Sequence, residues 1–265
     1  MTDHDARIGT ADVSYVKNGR VAVVSITRPE RRNTINSRIA VEMYEVLEHA
    51  SRDRDLAVIV LRGEGADFCA GADVVPEAEA ERGPGDIDLR QFDVAKLLYG
   101  MRPITIAAVR GGCAGAGMGW ACCCDFRIAD TTAKFNTAFL DVGVAGDMGL
   151  PWTLGRMLGS SVARELCFFP RKIGAREARE VGLVTRLFEE DAFEAELETM
   201  TQRLAAAAPL ALATLKENFL AAENGSFEAT VDVEGVRHVR LFYSKDRSEA
   251  FAAYLEKRQP VYQGC

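Results

Sequence analysis

A glycine-rich segment in the middle of the chain constrains the fold more than any other feature. Residues 111–125 read GGCAGAGMGWACCCD and directly follow an apolar run at 104–109. The apolar run predicts a buried strand, and the small residues after it predict the start of a helix. Glycine there permits the close approach of a second backbone or of a ligand. The unpaired N–H groups of a first helical turn would also attract a developing negative charge.

A second loop of small residues predicts a partner for this helix terminus. Residues 68–74 read FCAGADV and follow another strand-like run at 56–62. Two such loops can each direct one N–H group at a single oxygen atom. The residues alone leave a second interpretation open, in which both loops are only tight turns between a strand and a helix.

Composition limits the class of protein. The chain has 265 residues, 48% of them apolar, and a formal net charge of −7. This length fits one large α/β domain or two small ones, and the acidic balance disfavours nucleic acid as the main partner. The start is polar and acidic, and no apolar run is long enough to span a bilayer. We therefore expect a cytoplasmic protein that acts without nucleic acid or a membrane.

The cysteines predict no metal site. There are seven, and Cys122, Cys123 and Cys124 are consecutive. Neighbouring residues of a helix or strand point in different directions, so these three cannot bind one metal ion together. We expect small, buried, reduced side chains.

Strands and helices alternate in the first half of the chain, and helices fill the second half. This order predicts parallel βαβ units followed by a helical tail. The acidic segment 75–90 contains Gly and Pro and predicts a surface loop. Strands are predicted at 21–27, 56–62, 104–109, 126–129 and 134–136. Helices are predicted from Asn36 or Ser37 to about 52 and at 91–99, 150–158, 160–169, 175–181, 191–207, 209–222, 226–243 and 247–257.

Several short motifs carry a family likeness when their order and spacing are taken together. They are RPERRN at 28–33, DFCAGAD at 67–73, RPI at 102–104, GCAGAG at 112–117, CDFRIA at 124–129, GVAGD at 143–147, REAREVGLV at 176–184 and FAAYLEKRQP at 251–260. The chain thereby resembles the crotonase superfamily, also called the enoyl-CoA hydratase/isomerase family, over nearly its whole length.

The resemblance implies an α/β fold, a crotonase-like spiral of ββα repeats with a C-terminal helical trimerisation region. Residues 1–200 would form the core that binds CoA and the acyl group, and residues 201–265 would pack on the core or on a neighbouring subunit. A homotrimer or a dimer of trimers is expected. The substrate would be an acyl-CoA thioester, and no separate cofactor is expected because coenzyme A is part of the substrate.

The resemblance also implies roles for individual residues. The thioester carbonyl oxygen would lie between the N–H groups of Ala72 and Ala116, which would stabilise an enolate-like oxyanion. The residues expected to hold the CoA part are Arg31, Ala70, Asp73, Val74 and Lys257. The residues expected around the acyl group are Met118, Gly119, Trp120, Phe139 and Met148.

Two positions depart from the hydratase pattern. Hydratases of this family use two glutamates to hold and activate one water molecule, and the matching positions here are Gly119 and Phe139. Adding water across a double bond needs a base for the water and an acid for the α-carbon. Glycine and phenylalanine supply neither, so the pattern argues against ordinary hydration.

Asp147 is the candidate catalytic acid and base. It matches the aspartate that does the chemistry in the related dienoyl-CoA isomerases, the ring-opening phenylacetate-pathway isomerase and the 4-chlorobenzoyl-CoA dehalogenase. The dehalogenase also needs a histidine where this chain has Gln91, which disfavours dehalogenation. One carboxylate suffices for a 1,3-proton shift, so we expect double-bond isomerisation. The alternative role for Asp147 is the N-cap of the next helix.

Other reactions remain open from the sequence. They are hydration with a base not yet identified, thioester hydrolysis, decarboxylation, non-catalytic binding of acyl-CoA, and an oligomeric scaffold.

Overall fold

The computed structural model describes residues 7–73 and 87–265, and these residues form two β-sheets with helices around them. The larger sheet has the strand order β1-β2-β3-β4-β5-β7-β10, and the smaller one has the order β6-β8-β9. The strands are β1 Arg7–Gly9, β2 Val13–Asn18, β3 Val21–Ile26, β4 Val58–Gly63, β5 Ile104–Val109, β6 Gly112–Ala114, β7 Phe126–Asp130, β8 Lys134–Asn136, β9 Ile173–Gly174 and β10 Arg186–Phe188.

The larger sheet is parallel from β3 onwards, as the alternation of strands and helices predicts. Its first three strands are antiparallel, which the parallel prediction did not include. The β2–β3 hairpin pairs Asn18 with Val21, so its loop has two residues, and Gly19 at the first of them has a φ of 56°. Glycine is favoured at the first position of such a loop because it accepts a positive φ.

The smaller sheet places the two small-residue loops side by side. Single bridges join Ile35 to Ala72 and Cys69 to Cys113, which extends the pairing of β6 and β8 across the loop at 67–73. The glycine-rich segment therefore begins with a short strand, β6, before its helix starts. The sequence predicted the helix but not this strand.

The helices follow the predicted pattern closely. In α1, Asn36 accepts a hydrogen bond from the N–H of Ile39 and caps the helix as expected. The helices are α1 Ser37–Arg52, α2 Arg90–Gly100, α3 Ala116–Cys123, α4 Leu150–Leu158, α5 Ser160–Phe168, α6 Ala175–Glu180, α7 Phe193–Ala205, α8 Pro209–Asn224, α9 Phe227–Phe242 and α10 Lys245–Glu256.

The last three helices, α8 to α10, carry many exposed apolar side chains. Phe219, Phe227, Val236 and Tyr254 are each more than half exposed, and no side chain described in α9 is buried. One strong link ties α8 to the core, because the buried ammonium of Lys216 donates to Asp125 at 2.7 Å. No helix of the described ranges 7–73 and 87–265 is long and apolar enough to cross a membrane.

The predicted boundary after residue 200 falls inside α7. Phe193, Leu197 and Met200 of this helix are buried in a cluster with residues of β4, β5 and β7. The N-terminal part of α7 is therefore packed on the core sheet, and the exposed helices begin after it. Most of the predicted loop at 75–90 lies outside the described residues.

Candidate active site

The two small-residue loops meet at a pair of glycines. A Cβ added to Gly115 would lie 3.7 Å from the Cα of Gly71. Both glycines have positive φ values, 51° for Gly115 and 107° for Gly71. A backbone hydrogen bond from Ala114 N–H to the Cys69 carbonyl, 2.9 Å, joins the loops just before this point. Ala72 and Ala116 each follow one of the touching glycines, so their N–H groups lie on adjacent loops.

Main-chain hydrogen bonds set the direction of the Ala72 N–H group. Ile35 donates to the Gly71 carbonyl at 3.0 Å, and Asp73 donates to the Ile35 carbonyl at 2.8 Å. Residues alternate sides along an extended chain, so the N–H of Ala72 points away from Ile35.

Ala116 is the first residue of α3, where an N–H group has no acceptor within its own helix. The geometry provides two main-chain donors on touching loops, and such a pair can stabilise an anionic oxygen.

Two side chains that the sequence analysis did not single out hold these loops together. The Asp67 carboxylate accepts from the N–H of Gly112 at 2.6 Å and pairs with Arg32 at 2.9 Å. The Arg32 guanidinium holds the pKa of Asp67 below its usual value. Asn33 is fully buried with a φ of 55°, and its amide donates to the Asp67 carbonyl at 2.6 Å. The asparagine at the end of the basic turn 28–33 was the available signal, because asparagine tolerates a positive φ.

Asp147 lies in a loop, not at the cap of a helix. α4 begins at Leu150 with Gly149 at the cap position, and no side chain in the described part of the chain caps it. The Oδ1 atom of Asp147 is buried and has no hydrogen-bond partner among the residues that the structure describes. Burial raises the pKa of Asp147 above its usual value. The N-cap interpretation is therefore wrong for this carboxylate.

Two packing contacts flank Asp147. A Cβ added to Gly119 would lie 2.7 Å from the Met148 Cβ and 3.8 Å from the Asp147 carbonyl oxygen. A Cβ added to Gly146 would lie 3.3 Å from the Phe139 ring. The segments at 119 and 139 therefore both contact the loop that carries Asp147.

The remaining expected acyl-pocket residues are deeply buried. Met118 is 1% exposed and Trp120 is 0% exposed, and both belong to the main hydrophobic core. An apolar cavity of about 360 Å³ lies nearby, between α3, α4 and α8. Cys123, Trp152 and Leu215 are among the side chains that line it.

Three of the five expected CoA-binding residues are neighbours. Arg31 pairs with Asp73 at 3.0 Å, and the N–H of Ala70 donates to the Arg32 carbonyl at 3.0 Å. Lys257 lies at the exposed C-terminal end of α10. Val74 lies outside the described residues.

Comparisons with known proteins show which family the sequence and the fold resemble. The sequence model of the enoyl-CoA hydratase/isomerase family matches residues 16–265. The 2,3-dehydroadipyl-CoA hydratase of Escherichia coli K12 is 30% identical over 92% of this chain and 96% of its own length. The 1,2-epoxyphenylacetyl-CoA isomerase of the same organism is 29% identical over 95% and 98%. A crystal structure of an enoyl-CoA hydratase from Polaromonas sp. JS666 superposes with a TM-score of 0.86, at 29% identity over 95% and 99% of the two chains.

Proposed function

Because the chain belongs to the enoyl-CoA hydratase/isomerase family, which acts on acyl-CoA, we propose that it moves a double bond within an acyl-CoA thioester, with Asp147 as the proton shuttle. The N–H groups of Ala72 and Ala116 would hold the thioester oxygen. The relatives include both a hydratase and an isomerase, so the choice between these reactions rests on the residues of the site.

The proposal is carried by one carboxylate oxygen of Asp147, which is buried and has no hydrogen-bond partner among the described residues, on a residue whose main chain lies close to Gly119 of α3. Gly119 follows Ala116 by three residues, so the two lie about one helical turn, roughly 5 Å, apart. The Asp147 main chain is close to Gly119, as the 3.8 Å distance from its carbonyl oxygen to the added Cβ indicates. A base and an oxyanion donor therefore belong to one small region.

The proton transfer is balanced with these groups alone. The Asp147 carboxylate takes a proton from one carbon of the acyl chain, and the electrons of that C–H bond delocalise onto the thioester oxygen. The two N–H groups stabilise the resulting enolate. The Asp147 carboxylic acid then returns the proton to a carbon two positions away, and the electrons of the oxyanion reform the carbonyl. No oxidant or further reactant is consumed.

The raised pKa of Asp147 supports its role as a base. A carboxylate is a better proton acceptor when burial destabilises its charged form. Hydration would need a second group to position water, and the two positions that would supply glutamates hold Gly119 and Phe139.

The same proposal includes binding and assembly. Arg31, Ala70, Asp73 and Lys257 are proposed to bind the CoA part. The exposed apolar side chains of α8 to α10 are proposed to pack between subunits of a trimer, because burial of such surface stabilises association.

The test is incubation with 2-enoyl, 3-enoyl and aromatic acyl-CoA thioesters in deuterium oxide, followed by mass spectrometry. We expect exchange of α- or γ-protons and a change in double-bond position for at least one ester. Asp147→Asn is expected to abolish both, while the Tm still rises on addition of CoA esters. Net addition of water, hydrolysis of the thioester, or binding without exchange would each contradict the proposal.

A further inference from the structure

The two positions that lack the hydratase glutamates both contact the loop that carries Asp147. Gly119 faces Met148, the residue after Asp147, and Phe139 faces Gly146, the residue before it. The two residues that differ from the hydratase pattern therefore contact the same loop, one just before and one just after Asp147.

The contact at Gly119 leaves no room for a side chain there. A Cβ on Gly119 would lie 2.7 Å from the Met148 Cβ and 3.1 Å from its Cγ. Separations below 3.0 Å do not occur between well-packed carbon atoms, and the Met148 Cβ is fixed to the main chain. A side chain at 119 could fit only if the main chain at 147–149 moved.

Met148 is held in an unusual conformation. Its φ is 54°, which is costly for a residue with a side chain. Its side chain is 7% exposed and packed in the core, and its carbonyl accepts a hydrogen bond from the Cys123 thiol at 3.3 Å. α3 therefore binds Met148 at two points, Gly119 and Cys123.

The contact at Phe139 acts on the other side of Asp147. Its ring lies 3.3 Å from a Cβ built on Gly146, whose φ of 101° requires glycine. Residues 143–146 are exposed to solvent. The two contacts therefore fix the main chain on both sides of Asp147.

We propose that Met148 and Phe139 are positioning residues for Asp147, and that Gly119 is glycine because Met148 occupies the space beside it. This inference rests on the proposed function. It explains why one carboxylate can hold a fixed place in a loop that is otherwise largely exposed.

The decisive experiment is a double-mutant cycle between Gly119→Ala and Met148→Gly, read by the rate of deuterium exchange into the acyl-CoA ester. Glycine at 148 accepts the positive φ and removes both close atoms. Gly119→Ala alone is expected to lower kcat by at least about 10-fold, with KM changed by less than about 3-fold, because the carboxylate moves. In the Met148→Gly background, Gly119→Ala should cost less than about 2-fold.

Two further variants complete the design. Gly155→Ala adds a Cβ in α4 where nothing lies within 4 Å, and it is the matched control, with activity and Tm expected to stay near those of the wild type. Phe139→Ala should lower kcat by about 10-fold and Phe139→Leu by less, because leucine keeps part of the packing against Gly146.

The outcomes distinguish failure of the positioning role from failure of the proposed function. Equal losses from Gly119→Ala in both backgrounds, in a wild-type protein that does exchange protons, would overturn the positioning role and leave the proposed function standing. A wild-type protein that exchanges no protons with any ester would overturn the proposed function, and the positioning role with it.

Discussion

The two halves of the candidate active site are held in place by different forces. The oxyanion half consists of the loops 67–73 and 112–116, and the carboxylate half consists of residues 139–149. Hydrogen bonds hold the oxyanion half, both between main chains, as from Ala114 N–H to the Cys69 carbonyl, and from the Gly112 N–H to the Asp67 carboxylate. Side-chain packing holds the carboxylate half. Met148 packs against Gly119 of α3, and the Phe139 ring packs against Gly146.

This difference decides which substitutions each half tolerates. A donor that belongs to the main chain survives almost any side-chain change that keeps the local backbone. A carboxylate fixed by packing is sensitive to volume changes at the residues packed beside it, because well-packed groups have no free space into which to relax.

The largest expected effect comes from rebuilding the hydratase pattern. We predict that the double variant Gly119→Glu/Phe139→Glu loses proton exchange by at least about 10²-fold and gains no hydration, because Met148 occupies the space beside position 119. The measurement is mass spectrometry of 2-enoyl-CoA in heavy water. Efficient hydration by this variant would show that the carboxylate half is far more adaptable than the packing implies.

The second-largest expected effect comes from removing one donor of the oxyanion half while the carboxylate half stays unchanged. Ala116→Pro removes one N–H group at the first position of α3, where proline is well tolerated. We expect kcat to fall by about 10²–10³, the usual cost of losing one oxyanion donor. Ala116→Gly keeps the N–H group and should stay within a few-fold of the wild type. Similar losses in both variants would mean that side-chain volume at 116, and not the donor, matters.

A third prediction uses the protonation state of Asp147. Its folded pKa is raised by burial, so the charged form is destabilised in the folded protein. The Asp147 contribution to stability is therefore greatest at low pH and is lost as the pH rises through the raised pKa. Asp147→Asn should raise the Tm at pH 7, and the gain should shrink on acidification. A lower Tm at pH 7 would indicate that the carboxylate has a stabilising partner.

The pH profile of kcat/KM for proton exchange gives a second test of the same carboxylate. On the acid side, activity should fall at a pH above the usual pKa of an aspartate. A general base must be ionised in the free enzyme, so activity falls as the pH drops below its pKa. An acid limb at or below the usual aspartate value would contradict the assignment of Asp147 as the base.

The smallest expected effect is at Arg31, in the basic turn beside the loop 67–73. Arg31 is partly exposed and already pairs with Asp73 at 3.0 Å. We expect Arg31→Ala to raise KM for acyl-CoA esters by about 2- to 5-fold with kcat unchanged, as is typical for a partly exposed charge. The matched control is the exposed Arg176, whose guanidinium lies 4.0 Å from the Glu189 carboxylate. Arg176→Ala should leave KM unchanged.

Local sequence patterns predicted most of the architecture correctly. Helix α1 and its Asn36 cap follow from short-range spacing, and the strands at 104–109 and 134–136 have the predicted bounds. The hairpin before Val21 was not predicted, although Asn18-Gly19 is a turn signal, because the segment 13–18 alternates only weakly.

The sequence by itself determined the alternation of strands and helices in the first half, the helical second half and the two glycine loops, because these depend on residue types at short spacing. It also determined the family, through the order of short motifs along the chain. The tertiary structure decided that Asp147 is not a helix cap and that its carboxylate oxygen is buried. It also decided that Met148 fills the space beside Gly119. Such contacts join segments far apart in the chain, and only close packing in three dimensions determines which side chain occupies a given space.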